Sequence, residues 1–80
     1  MVNNSKRRVK LMNRVKKERE KRNWSQFQLA KKANINQGDI SQIENGKIFP
    51  YPGWRKRLAE ALGVEEQYLF PEINKSQEVS

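Results

Sequence analysis

The sequence predicts an all-α domain built from five short helices. Apolar residues recur three or four positions apart in the candidate elements. Helix-start signals stand at Ser25 and Asn36, and helix-stop signals at Asn34, Gly46 and Gly63. The 80 residues suffice for one domain with a core so small that each apolar side chain matters. The expected organisation is a basic disordered arm over 1–10, a folded domain over 11–72 and a frayed tail over 73–80.

The first helix is expected from about residue 11 to Arg22, where Leu11, Met12 and Val15 lead a run of strong helix formers. Asn23 and Trp24 interrupt it. Ser25 followed by Gln28 is a capping-box signature and opens a second helix at about 26–33, with Leu29 and Ala33 four apart and Phe27 and Ala30 flanking that stripe. Asn34 suits the left-handed residue that ends it. Asn36 caps a third helix, with Asp39 in its positive first turn and Asn45-Gly46 closing it. The stretch "IFPYP" is a loop, since Pro50 and Pro52 lack amide donors and restrict the residues before them. A fourth helix over about 53–62 turns Trp54, Leu58, Ala61 and Leu62 inward and Arg55, Lys56 and Arg57 mostly outward. "EEQYLF" forms a short fifth helix ahead of Pro71.

Composition narrows function. With no cysteine there is no disulfide or thiolate metal site, and with no histidine the usual zinc ligand and general base are missing. No enzymatic constellation, metal site, cofactor or small-molecule ligand is expected. No apolar run is long enough for a membrane span, so a cytoplasmic protein is expected. The net charge of +8 is concentrated at one end: residues 1–22 carry ten bases against Glu18 and Glu20, and the remainder is balanced. Such an excess suits phosphate, and the candidates are Lys6, Arg7, Arg8, Lys10 and Arg14.

Two short capped helices about three residues apart form a helix-turn-helix, and Ala30 is small enough for their crossing. On the second of these, Ile40 and Ile43 share one side. The opposite side carries Gln37, Gly38, Ser41, Gln42 and Asn45, neutral groups where a surface helix ordinarily shows Lys and Glu. Gln and Asn match the donor–acceptor pair on the major-groove edge of adenine, and Ser serves several bases. A glycine within a helix costs up to about 1 kcal/mol against alanine, which suggests close approach of the backbone to a partner. The function expected is sequence-specific binding of double-stranded DNA. RNA is less favoured, because the few aromatics read as core rather than as a stacking platform.

The segments "WSQFQLAKKANINQGDISQIENGK", "LAEALGV" and "YLF" resemble the Xre/Cro-type family of lambda-repressor-like helix-turn-helix proteins over roughly residues 12–72. The resemblance implies five compact helices with the third in the major groove. It implies that Gln37, Gly38, Ser41 and Gln42 contact bases, that Gln26 and the turn Asn45-Gly46-Lys47 hold phosphate, and that Arg19 and Glu44 form a structural ion pair. This sequence departs from the family at Asn34, where glycine is common, at Glu18, where the family has an aliphatic residue, and in an "IFPYP" loop one residue longer.

The expected activity is transcriptional regulation, with repression by promoter occlusion the simplest mechanism. A controller or antitoxin-type regulator and a protein-interaction adaptor are the alternatives on the same fold. The helix-turn-helix takes up nearly all of these residues, so control is expected from concentration, dimerisation or a separate partner. A homodimer on a palindromic operator, formed in solution or only on DNA, is expected through the carboxyl-terminal part, with Tyr68 and Phe70 as contact candidates.

Overall fold

The computed structural model describes residues 12–71. Along them run α1 (Val15–Lys21), α2 (Gln26–Ala33), α3 (Gln37–Glu44), α4 (Pro52–Leu62) and α5 (Glu66–Leu69), with no strand among the described residues. The expected basic arm at 1–10 and the tail at 73–80 lie outside them.

Local chemistry sets the boundaries. Asn13 governs the start of α1: its Oδ1 accepts from the Val15 amide at 3.0 Å and its Nδ2 donates to the Ile43 carbonyl at 2.9 Å. The Arg14 amide donates to the Leu69 carbonyl, so residues 13 and 14 are committed to tertiary bonds before the helix begins. At α2 the capping box is complete, with Ser25 Oγ accepting from the Gln28 amide and Gln28 Oε1 from the Ser25 amide. Asn36 Oδ1 caps α3 through the Gly38 amide at 2.7 Å. Pro52 opens α4 one residue ahead of expectation, since its ring presets a helical φ and the first amide needs no partner.

The first four helices end alike. Asn23, Asn34, Gly46 and Gly63 take φ of 59, 58, 72 and 71°. In each case the next amide reaches back five residues: Trp24 to Arg19, Ile35 to Ala30, Lys47 to Gln42, Val64 to Ala59. This double closure satisfies carbonyls that the helix leaves open and turns the chain sharply enough for neighbours to cross.

The core joins Val15 of α1, Leu29, Ala30 and Ala33 of α2, Ile40 and Ile43 of α3, Leu58, Ala59 and Leu62 of α4, and Leu69 with Phe70 at the end of α5. α2 packs on both α3 and α4, and α1 bridges α3 and α4. Burying Ile40 and Ile43 completely contributes roughly 1.5–3 kcal/mol each and fixes which side of α3 faces out.

Three expectations change. Phe70 is fully buried, edge-to-face with Phe49 at 5.9 Å, and offers no surface for a partner: α5 is so short that its end must plug the core. Arg55 turns inward, its guanidinium over the Phe49 ring at 5.2 Å and donating to the Pro50 carbonyl at 2.8 Å, because the proline-bound loop leaves that carbonyl without a backbone partner. Phe27, read as flanking the core stripe, is 57% exposed.

Candidate nucleic-acid interface

The turn at Asn34 sets the start of α3 beside α2 and bares one side of it. Gln37, Gly38, Gln42 and Asn45 are exposed and Ser41 is half-buried, while Ile40 and Ile43 anchor the opposite side. Asp39 is the acidic group of the first turn and is itself half-buried. The exposed strip is therefore a row of amides and one hydroxyl without a large apolar anchor. Gly38 has a local reason besides close approach: a Cβ there would stand 3.2 Å from the capping Asn36 Oδ1.

Behind this strip, Glu44 organises three elements. Its carboxylate is 1% exposed and accepts from Arg19 Nε at 2.7 Å and Nη2 at 3.1 Å. Gln26 Nε2 adds a third bond at 3.0 Å. Arg19 Nη1 continues to the Trp24 carbonyl at 2.8 Å, just ahead of the α2 cap. The Glu44 carboxylate beside it holds the Arg19 guanidinium firmly in its charged form. A two-bond fork of this kind has fixed geometry as well as strength. It locks α1 to α3 and orients Gln26, which keeps one amide hydrogen for an outside acceptor.

The turn after α3 divides its roles. The amides of Gly46 and Lys47 already donate to Ile43 and Gln42, so Gly46 supplies conformation rather than a free donor, and the side chains of Asn45 and Lys47 are exposed beside it. Arg14 is likewise engaged. Its guanidinium lies 4.6 Å over the Tyr68 ring and donates to the Tyr68 carbonyl, which makes it first a tie to α5. Lys16, Lys17 and Lys21 are the exposed bases of α1, Lys21 being paired with Glu18, whereas Arg22 reaches the carbonyls of Glu18 and Leu62. Lys6, Arg7, Arg8 and Lys10 lie outside the described residues.

Glu18 was legible only as an acid in an aliphatic position. It is 2% exposed, and its carboxylate takes bonds from the Tyr68 hydroxyl at 2.6 Å, Arg22 at 2.9 Å and Lys21 at 3.1 Å. The Tyr68 hydroxyl, then Arg22 and Lys21, hold its carboxyl down to about 2, and the same bond raises the Tyr68 hydroxyl above its ordinary value. The signal available beforehand was the acid itself: a carboxylate in an apolar position needs a partner.

A capped helix, a left-handed asparagine turn and a second helix anchored by two isoleucines with its amide side bared define a helix-turn-helix domain. Residues 12–75 match the model of a helix-turn-helix domain family, and the chain belongs to it. A helix-turn-helix domain suggests a DNA-binding regulator. No curated protein matches the sequence. No helix among the described residues is long and apolar enough to cross a membrane.

Proposed function

We propose that this protein is a sequence-specific double-stranded DNA-binding transcriptional regulator of the Xre/Cro type, acting as a homodimer on a palindromic operator and repressing by occlusion. The observation that carries the reading is the exposed strip of Gln37, Ser41, Gln42 and Asn45 on a helix whose other side is anchored in the core. Side-chain amides there meet base edges in the major groove, where each base pair shows a distinct donor and acceptor pattern. Gln26, Asn45 and Lys47 flank the strip and serve phosphate, fixing the angle at which α3 enters. Lys16, Lys17 and the bases at 6, 7, 8 and 10 supply the salt-dependent attraction that every duplex shares.

Dimerisation draws on the aromatic groups of the carboxyl-terminal half that remain accessible: Tyr51, 69% exposed, Phe49 at 37% and Tyr68 at 38%. Two recognition helices held about one turn of DNA apart read two half-sites. Selection of bound sites from a random duplex library tests the whole reading. The expected product is a palindromic consensus bound by two chains. A library that emerges without any consensus overturns it.

A further inference from the structure

We propose that Phe27 is a specificity-determining residue that seats the 5-methyl group of a thymine beside the bases read by α3, an inference that rests on the DNA-binding reading above. Phe27 is the second residue of α2, and nothing in the core requires it, since its ring is 57% exposed. It lines an open groove of about 520 Å³ that runs from α2 across the turn to Gln37, the first residue of α3. The floor is apolar, made by the Phe27 ring, Ala30 and Ile35, and the rim carries the Lys31 ammonium and the amides of Asn36 and Gln37. Lys31 Nζ stands 5.5 Å from the Phe27 ring centroid. Among the described residues, no carboxylate lines the groove.

An apolar floor beneath a cationic and amide rim selects an occupant with a methyl-sized apolar part and an anion next to it. A thymidine nucleotide has both. When a helix-turn-helix docks, the start of the recognition helix meets base edges while the preceding helix crosses the backbone. A groove spanning those two helices therefore lies over the step from sugar-phosphate to base edge. There the thymine methyl projects into the major groove and accepts apolar contact, and Lys31 faces the strand's phosphates. A protein partner bearing an acidic residue beside an apolar one fits the same chemistry less well, because it would compete with DNA for Gln37.

The test uses the full chain and the duplex selected above, with each thymine replaced in turn by deoxyuridine, which deletes only the methyl. The expected result is one position per half-site where uracil weakens parental binding about fourfold, the worth of one buried methyl group. For Phe27→Ala that position becomes indifferent to the methyl, while Phe27→Leu keeps part of the discrimination. Melting curves of both variants should overlay the parent's, because the side chain is exposed. Indifference of the parent to uracil everywhere, or equal loss by Phe27→Ala on thymine and uracil duplexes, overturns the assignment. Undiminished Phe27→Ala binding points to a protein occupant and overturns it too. Failure to select any duplex refutes the DNA reading itself, a result distinct from these.

Discussion

The Tyr68 hydroxyl donates a 2.6 Å hydrogen bond to Glu18 Oε2, tying the last described helix to the first across 50 positions of sequence. The acid that interrupts the apolar side of α1 is thereby a cross-link. Its charge is also met by Arg22, which reaches on to the Leu62 carbonyl at the end of α4. The same relationship makes Tyr68→Asp a poor probe of dimerisation, since it would set a second carboxylate against Glu18. Substitution of Tyr51 is the cleaner choice.

Acid should unfold the protein partly through Glu18. Its folded carboxyl titrates at about 2 against an ordinary 4.5, so its contribution is complete above pH 4.5 and is lost as pH falls towards 2. Tyr68 is shifted the other way: its contribution is complete below its ordinary 10.0 and is lost as pH rises past the elevated folded value. Tyr68→Phe removes the main downward pull on Glu18, so the acid loss should still begin near pH 4.5 but should be smaller and be complete at higher pH. Thermal melts between pH 2 and 7 check this; superimposable pH profiles for parent and variant would rule the coupling out.

Arg19→Met should destabilise the fold by roughly 3–5 kcal/mol, because the Glu44 carboxylate, 1% exposed, loses its ionic partner inside the protein. Changing Glu44 to an apolar residue as well should restore much of that loss. Denaturant titration of the single and double variants gives the answer. A single variant as stable as the parent would mean that water replaces the guanidinium.

Asn34 at φ 58° occupies a backbone region that β-branched residues avoid. Asn34→Val should cost roughly 1–2 kcal/mol, and Asn34→Gly should leave the melting temperature unchanged or raise it. The Arg57 bond to the Asn34 carbonyl, at 2.9 Å, involves backbone and survives either change. Equal stability of the valine variant would show that the turn relaxes.

Gln42→Ala and Gln37→Ala should each weaken binding to the selected site by about 1–3 kcal/mol and barely alter binding to random duplex. Titrations on both duplexes at one salt concentration discriminate. Equal losses on the two would make these residues positioners of the helix and not readers of sequence.

Deletion of residues 1–10 removes Lys6, Arg7, Arg8 and Lys10. All duplexes should then bind more weakly by a similar factor. The salt dependence should flatten by about 0.9 in slope for each phosphate that is no longer neutralised. An unaltered slope would show that these bases do not reach DNA.

Local rules were enough to read the helices from the sequence. Ser25 with Gln28, Asn34, Asn36, Gly46 and Gly63 act on amides and carbonyls within a few positions of themselves, so their roles are visible without knowing what lies across the molecule. The neutral strip on α3 was equally legible, because Ile40 and Ile43 declare the buried side and helical geometry assigns the other. The fate of side chains with partners distant in sequence was not. Whether Glu18 is a defect or a cross-link depends on Tyr68, 50 residues on, and whether Arg55 points out or in depends on a carbonyl freed by the Pro50 loop. Phe70 and Phe27 are both aromatic and lie on or beside helices, yet one is fully buried and the other largely exposed. Periodicity locates a side, but in so small a domain the available core volume decides which aromatic fills it, and that volume exists only once α4 has packed on α2 and α5 on α4.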